Sequence, residues 1–485
     1  MYRDLREWMQ QVEELGELRV VRGAHWHLEI GALTEVAYQQ PNGGPMLLFD
    51  DIVDYPTGYR VVTNTVGSVN RLASALGLPM GMSKLEAADA WHELYQNLKP
   101  IPPLMVDDGP IFENIIEESD VDLLKFPTPY WHQGDGGRFI GTGCAVITKD
   151  PDSDWVNLGT YRIMIHDEQN LFVYISPGKQ GIIHRNKYWE QGKPCPCVIS
   201  FGHDPSIYMV AGLEVPPGMD EYDVCGGLKK QPIEVVKSPI YGLPIPAYAE
   251  IVVEGEIYPD RTAEEGPFGE WTGYFGSSSR QEPLMKVKAL YHRNNPILYG
   301  TTHSIPPTEP IVYRAIMRSG LVKEALIKAG VPDVRGVWCH EVGGTRLFLA
   351  VSIKQRYPGH AKQAAAVALQ AQAGAYLGRY VVVVDEDIDV SDLNQVVWAM
   401  CTRSEPAESI DILRRCWSGP LDPRIPAERK GFSSRAIIDA TKPYEWKDEY
   451  PEVCAASPEL KKRVAEKWAD VFQTTAAPAE VAQGA

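Results

Sequence analysis

Two carboxylates lie five residues apart in Glu265-Gly266-Pro267-Phe268-Gly269-Glu270, with two glycines and a proline between them. In a helix a spacing of five turns the side chains about 140° apart. In a strand an odd spacing sends them to opposite faces. Neither regular element pairs these acids, so Gly266, Pro267 and Gly269 must bend the backbone if both are to face one site. Like charges held close on a rigid bend raise one pKa towards neutrality, which suits a proton donor. Taken alone, the hexapeptide is more simply a surface turn with two solvated glutamates, and the neighbouring Glu264 reads as a third solvated acid.

Other residue types with ligand or charge chemistry lie upstream: Asn157 and Arg162 in one strand-like run, then His184 and Arg185, then Glu221 after Pro216-Pro217-Gly218. An amide oxygen, an imidazole nitrogen and a carboxylate form a mixed donor set suited to Mn²⁺ or Mg²⁺. Spread over some 65 residues, they carry no metal signal by spacing. His184 alone reads as a structural histidine and Arg162 alone as a solvated charge.

The elements that must position these residues follow from periodicity. Residues 1–118 read as an α/β domain, with a helix through Leu5, Trp8, Val12 and Leu15 ended by Gly16, and a second helix near Asn70. Lys99-Pro100-Ile101-Pro102-Pro103 reads as a connector. Residues 119–308 read as strands, including 143–148, 157–165, 171–175, 197–201, 249–256, 285–291 and 297–302, and together predict a β-barrel-like domain able to seat a ligand. A linker helix over 311–329 leads to a C-terminal α/β domain, 331–455. There an Ala-rich helix, 360–377, joins strands 347–353 and 380–384 as a βαβ unit. A last helix, 457–472, precedes a polar tail, 473–485, read as mobile or ordered against a partner. The fold class is thus multidomain α/β (α+β).

With 47 Lys+Arg against 64 Asp+Glu, the net charge of −17 argues against nucleic-acid and anionic-membrane partners. No apolar run reaches the roughly 18 residues that span a bilayer, and the amino terminus lacks an apolar signal core, so a cytoplasmic protein is expected. The eight cysteines form no Cys-x-x-Cys pair, and Cys195-Pro196-Cys197 reads as buried free thiols rather than a metal site.

In combination these motifs resemble the UbiD family of decarboxylases. The resemblance rests on Asn157-Leu158-Gly159-Thr160-Tyr161-Arg162, His184-Arg185, Pro217-Gly218-Met219-Asp220-Glu221-Tyr222, the acid hexapeptide with Thr272-Gly273-Tyr274-Phe275, and Arg356-Tyr357-Pro358-Gly359-His360. It continues through Asp385-Glu386-Asp387 and Asp439-Ala440-Thr441-Lys442, and so covers about residues 1–455. The resemblance implies prenylated FMN, supplied by a separate flavin prenyltransferase and held through Mn²⁺ with K⁺ nearby. It implies Asn157, His184 and Glu221 as metal ligands, with Arg162 and Arg185 also at the cofactor. It implies Arg162, Glu265 and Glu270 as the catalytic network, with Glu270 as proton donor, in a reversible non-oxidative decarboxylation of an aromatic, heteroaromatic or α,β-unsaturated acid. It also implies a C-terminal domain that pairs subunits into a homodimer or a trimer of dimers. A non-catalytic assembly subunit of a multi-subunit carboxylase is the competing reading. Arg162 could grip a carboxylate in bidentate fashion. His303 and the Tyr130-Trp131-His132 stretch stand open between substrate contact and packing.

Overall fold

A computed structural model describes residues 2–472 except 177, 214, 217 and 277. Pro217 and the tail from 473 to 485, both singled out by the sequence, lie outside the described residues. The chain forms one unit to Thr441 and a separate one beyond it.

The first unit opens with helix α1 (Leu5–Glu14), whose Leu5, Trp8, Met9 and Val12 are buried on one face. Asp4 caps it by accepting from the Glu7 N–H, and Gly16, at φ +73°, follows its end. Strand β1 (Leu18–Arg22), α2 (Glu29–Tyr38), β2 (Met46–Asp50), β3 (Arg60–Thr63), α3 (Val69–Ala75) and α4 (Lys84–Gln96) complete the amino-terminal layer. Ser68 and Ser83 cap α3 and α4, the latter in a capping box with Glu86.

The central strands are β4 (Leu104–Met105), β5 (Asn114–Glu117), β6 (Phe139–Gly141), β7 (Ala145–Lys149), β8 (Val156–Gly159), β9 (Arg162–Ile165) and β10 (Asn170–Tyr174). Then come α5 (Gln180–Glu190), β11 (Cys195–Phe201), α6 (Pro205–Ala211), α7 (Glu221–Lys229), β12 (Glu234–Lys237), β13 (Pro244–Pro246), β14 (Ile251–Glu265), β15 (Arg280–His292) and β16 (Ile297–Tyr299). Strand β16 joins the amino-terminal sheet in the order β1-β2-β3-β16. The large sheet runs β6-β9-β10-β15-β14-β11-β7-β8, with β5 also on β15.

The sequence reads 157–165 as one strand; the chain breaks it at Thr160–Tyr161. The Thr160 N–H leaves the sheet to bond the Ala211 carbonyl, 3.1 Å, and the Tyr161 ring folds back over Gly159, where a Cβ would lie 2.1 Å from it. β8 and β9 therefore stand six inter-strand gaps apart in the sheet order, about 29 Å if the sheet were flat. Two linking residues reach no more than about 11 Å. The sheet must curl until its far strands approach, and that makes it a half-barrel.

The strand-only reading of 119–308 also misses α5, α6 and α7. Every residue of α6 is buried, and a run buried all round carries no helical period to distinguish it from a core strand. Cys195 and Cys197 are buried free thiols in β11, as expected.

Helix α8 (Glu309–Lys328) leads to β17 (Val334–Cys339), β18 (Phe348–Ile353), α9 (His360–Gln370), α10 (Gln372–Ala375), β19 (Tyr380–Asp385), α11 (Leu393–Arg403), α12 (Pro406–Ser409), β20 (Ile410–Trp417) and β21 (Phe432–Ala440). Their sheet has the order β17-β18-β19-β21-β20, and β18 pairs β19 in parallel across the Ala-rich crossover. That crossover is two helices rather than one, because Ala371 adopts extended ψ. Beyond Thr441, α13 (Pro458–Lys467) and α14 (Ala469–Phe472) replace the single helix expected, with a break at Trp468. No helix among the described residues is long and apolar enough to cross a membrane.

Helix α2 docks closely on the turn that precedes β6. The Leu28 N–H donates to the Tyr130 carbonyl, 2.9 Å, and a Cβ on Gly31 would lie 2.2 Å from the Trp131 carbonyl oxygen. Helix propensity favours alanine over glycine by about 1 kcal/mol, but here the obstacle is backbone. Gly31→Ala should lower stability by about 1–3 kcal/mol, read as a lower denaturation midpoint. An unchanged or raised midpoint would refute this close docking.

Candidate active site

Arg162 opens β9, and Glu265 closes β14. The Arg162 guanidinium makes a side-on fork to Glu265, with Nε to Oε1 at 2.8 Å and Nη2 to Oε2 at 2.7 Å. Its Nη1 reaches Glu270 Oε1 at 3.2 Å. The Glu265 side chain is sealed, Arg162 is 9% exposed and Glu270 15%. Thus the fork that could grip a substrate carboxylate is already taken by Glu265, and two of the five guanidinium N–H groups remain.

The bend required of the hexapeptide is present. Gly266 sits at φ +82°, a region open to glycine. The Gly136 N–H donates to the Pro267 carbonyl at 2.8 Å. A Cβ on Gly136 would fall 1.9 Å from the Gly266 oxygen, so this approach requires glycine. The loop then closes on itself: the Glu270 N–H bonds the Tyr274 carbonyl, and the Gly273 N–H bonds the Glu270 carbonyl, each at 2.9 Å. Glu264 is exposed, as expected.

Burial works against the Arg162 charge, but hydrogen bonds and charge from Glu265, with the charge of Glu270, hold its pKa above the ordinary value. Burial raises the Glu270 pKa; Arg162 and Arg280 pull it back, and Glu265 adds to the rise. The environment thus favours the acid form of Glu270 more than water does, while leaving it within reach of solvent.

The mixed donor set also gathers. Thr148 of β7 stands opposite Asn157 of β8, and its hydroxyl lies 3.0 Å from His184 Nδ1. Glu221 opens α7 and accepts from the Leu158 N–H at 2.8 Å, beside Asn157. All three are buried. His184 Nε2 has no partner among the described residues, and the Asn157 side chain bonds the Tyr161 hydroxyl. Burial pushes the Glu221 carboxyl up to about 7 and lowers the His184 pKa. No cluster of three His, Cys, Asp or Glu stands at metal-binding spacing among the described residues; this set contains only two such side chains and an amide. Arg185 is not brought into the group. Its guanidinium lies over the Trp189 ring, 4.1 Å from the centroid, and bonds Asn186, because the next helical position turns away from the His184 side.

A cavity of about 150 Å³ lies at the β8–β9 link. Arg162, Glu270 and His303 line it, with Ser176 and Lys179 at the start of α5. His303 Nδ1 is sealed and without a partner among the described residues. Burial, with the charges of Arg314, His132 and Arg162, holds His303 down to about 3, so it is a neutral imidazole. Trp131 packs in the core and donates to the Phe139 carbonyl. Sequence reasoning missed Tyr174, which pairs with Arg162 in register and carries guanidinium groups against its ring, Arg162 at 4.5 Å and Arg280 at 3.8 Å. It also missed Lys179, at the N-cap of α5.

Breaking a buried pair leaves an uncompensated charge. Glu265→Gln should therefore destabilise the protein by about 3 kcal/mol, whereas Glu270→Gln, losing one longer contact at a partly wet position, should cost under about 1 kcal/mol. Urea denaturation of both variants checks the ranking, and equal losses would count against the unequal sharing of Arg162.

Models of the three domains of 3-octaprenyl-4-hydroxybenzoate carboxy-lyase match residues 9–93 (N-terminal), 104–306 (Rift-related) and 314–440 (C-terminal). The pyrrole-2-carboxylic acid decarboxylase of Pseudomonas aeruginosa is 32% identical over 489 residues, 96% of this chain and 98% of that protein. The structure of the vanillic acid decarboxylase of Sedimentibacter hydroxybenzoicus in open form matches with a TM-score of 0.84 at 31% identity, over 96% of this chain and 99% of that one. That of the UbiD-class enzyme HmfF from Pelotomaculum thermopropionicum in complex with FMN matches at 0.83 and 30%, over 95% and 98%. An evolved dimeric form of HmfF is in complex with prFMN. On the match of all three domain models and on relatives of this identity and coverage, the chain belongs to the UbiD family.

Proposed function

We propose that this chain is a carboxy-lyase that removes CO₂ from an aromatic or heteroaromatic acid, with prenylated FMN as cofactor and Glu270 as proton donor. The observation that carries this reading is the sharing of one buried guanidinium between a sealed Glu265 and a cavity-facing Glu270. The relatives' acids, pyrrole-2-carboxylic and vanillic acid, are a heteroaromatic and an aromatic carboxylate.

The residues present suit the cofactor. The amino-terminal end of α5, which has no side-chain cap, suits a phosphate, with Lys179 at its start. The unpartnered His184 Nε2, the Asn157 amide and Glu221 suit a divalent ion such as Mn²⁺ that neutralises it; K⁺ nearby and supply by a flavin prenyltransferase belong to the same reading. When bound, prenylated FMN supplies the electron sink that loss of CO₂ from an sp² carbon demands. The chain's own residues do the rest. The two remaining Arg162 N–H groups orient the substrate carboxylate. Glu270 gives its proton to the carbon that has lost CO₂ and regains one from water at its exposed edge. Neutral His303, which lines the cavity, would hydrogen-bond a ring hydroxyl or ring N–H. Run in reverse at high CO₂, the same groups carboxylate. The C-terminal α/β domain would pair copies into a dimer or a trimer of dimers.

Two outcomes are expected from holoprotein made with a flavin prenyltransferase. Glu270→Gln should abolish CO₂ release while the flavin spectrum persists; turnover at the wild-type rate would remove Glu270 from its role. Glu221→Gln should weaken flavin retention, and addition of Mn²⁺ to the apoprotein near pH 6 should release about one proton, since the Glu221 pKa stands near 7 before binding. Calorimetry in two buffers of different ionisation enthalpy reads that proton, and its absence would exclude Glu221 as a ligand.

A further inference from the structure

Behind the acid loop, His132 carries a carboxylate at each ring nitrogen. Nε2 lies 3.1 Å from Glu35 Oε1 and Nδ1 lies 3.3 Å from Asp135 Oδ2. The His132 backbone N–H also donates to Asp135 Oδ2, 2.9 Å. A neutral imidazole has one donor and one acceptor, so only the imidazolium satisfies both acids. Burial opposes that charge, but the hydrogen bonds and charges of Asp135 and Glu35 lift the His132 pKa to about 9.

Each contact of His132 leads to a different part of the site. Glu35 belongs to α2, and Tyr38, one turn on, accepts the Thr302 N–H at 3.4 Å and lies 3.0 Å from the Thr301 hydroxyl. The Thr302 hydroxyl is itself 3.2 Å from His132 Nε2, so α2 holds the strand end before His303 both directly and through His132. On the other side, a Cβ built on Gly269 would lie 3.5 Å from His132 Cε1, and the Phe275 ring meets the imidazole edge-on at 6.4 Å. The turn bearing His132 also supplies the Gly136 N–H to Pro267. His132 does not line the cavity; Gly269, Glu270 and His303 do.

We propose that His132 is a positioning residue that, bridged between Glu35 and Asp135, holds the Glu270 loop and the Thr302–His303 strand end in one fixed arrangement. The proposal rests on the reading of Glu270 as proton donor. A displacement of about 1 Å at a reacting group costs on the order of 100-fold in rate, and this bridge ties the Glu270 loop to the hold that Tyr38 of α2 already has on Thr301 and Thr302.

The test compares wild type, His132→Gln and Glu35→Gln as holoproteins, by hydrogen–deuterium exchange of the 264–276 and 299–305 segments and by kcat and KM on an acid that wild type turns over. In His132→Gln both segments should exchange about tenfold faster or more, while kcat falls about tenfold or more with KM changed by under about threefold. Glu35→Gln, which keeps an acceptor opposite Nε2, should move both readouts in the same direction by less, and decides the matter alone if His132→Gln fails to fold. Exchange at the wild-type rate in these segments, or faster exchange with undiminished kcat, would overturn the proposal. Wild type without CO₂ release from any acid would overturn the decarboxylase reading instead, and the exchange rates would still judge the bridge.

Discussion

One guanidinium sets the conditions that the central sheet must meet. A charge as enclosed as that of Arg162 is tolerable only with its partners in place, and those partners come from distant parts of the chain. Glu265 reaches it because β14 runs for fifteen residues to its end. Arg280, opposite Glu265 in register, brings a second cation to Tyr174. The two guanidinium groups share that ring, and acids stand beside both, Glu265 at Arg162 and Glu282 at Arg280. A slip of one residue in the β14–β15 pairing would turn Glu265 to the other face of the sheet and leave Arg162 without its fork.

The loop that carries the second acid is held from three sides. The turn at 134–136 meets it through backbone contacts that exclude a Cβ at Gly136. Trp271, next to Glu270, is buried with Ile311 of α8 and Leu377 beyond α10, and its ring lies where a Cβ on Gly344 would stand. The amino-terminal layer contributes through α2 and His132. Glu270 therefore occupies a short irregular segment whose conformation is decided by three separate parts of the chain, which places it more accurately than a free loop would.

Much of this was legible in the sequence, and the limits are physical. The acid hexapeptide announced its own bend, since no regular element pairs residues five apart. Asn157, His184 and Glu221 were recognisable through the motifs around them, and Asn157 lies on a strand as read, but His184 lies on α5 and Glu221 opens α7, where no helix was expected. The run 157–165 reads as one strand, and it is broken by the Thr160 N–H bonding Ala211 and by the return of the Tyr161 ring over Gly159. Such a break depends on packing that no local pattern encodes. Arg185 follows His184 in sequence but leaves its side of the helix. Tyr174, Lys179 and the His132 bridge arise from register and tertiary approach, for which a single sequence offers little signal.

The two-residue passage from β8 to β9 also bears on how the protein acquires its shape. Those strands are neighbours along the chain but lie at far places in the sheet order, with β10, β15, β14, β11 and β7 all needed between them. Pairings such as β5 with β15 join segments more than 150 residues apart, and contacts of that separation form late because loop-closure entropy must first be overcome. The cavity at the seam is accordingly a property of the completed sheet, since its lining is drawn from segments as far apart as Thr142 and Arg314. A ligand seated there binds the finished fold and not its precursors, so its affinity acts by mass action on the stability of the whole sheet.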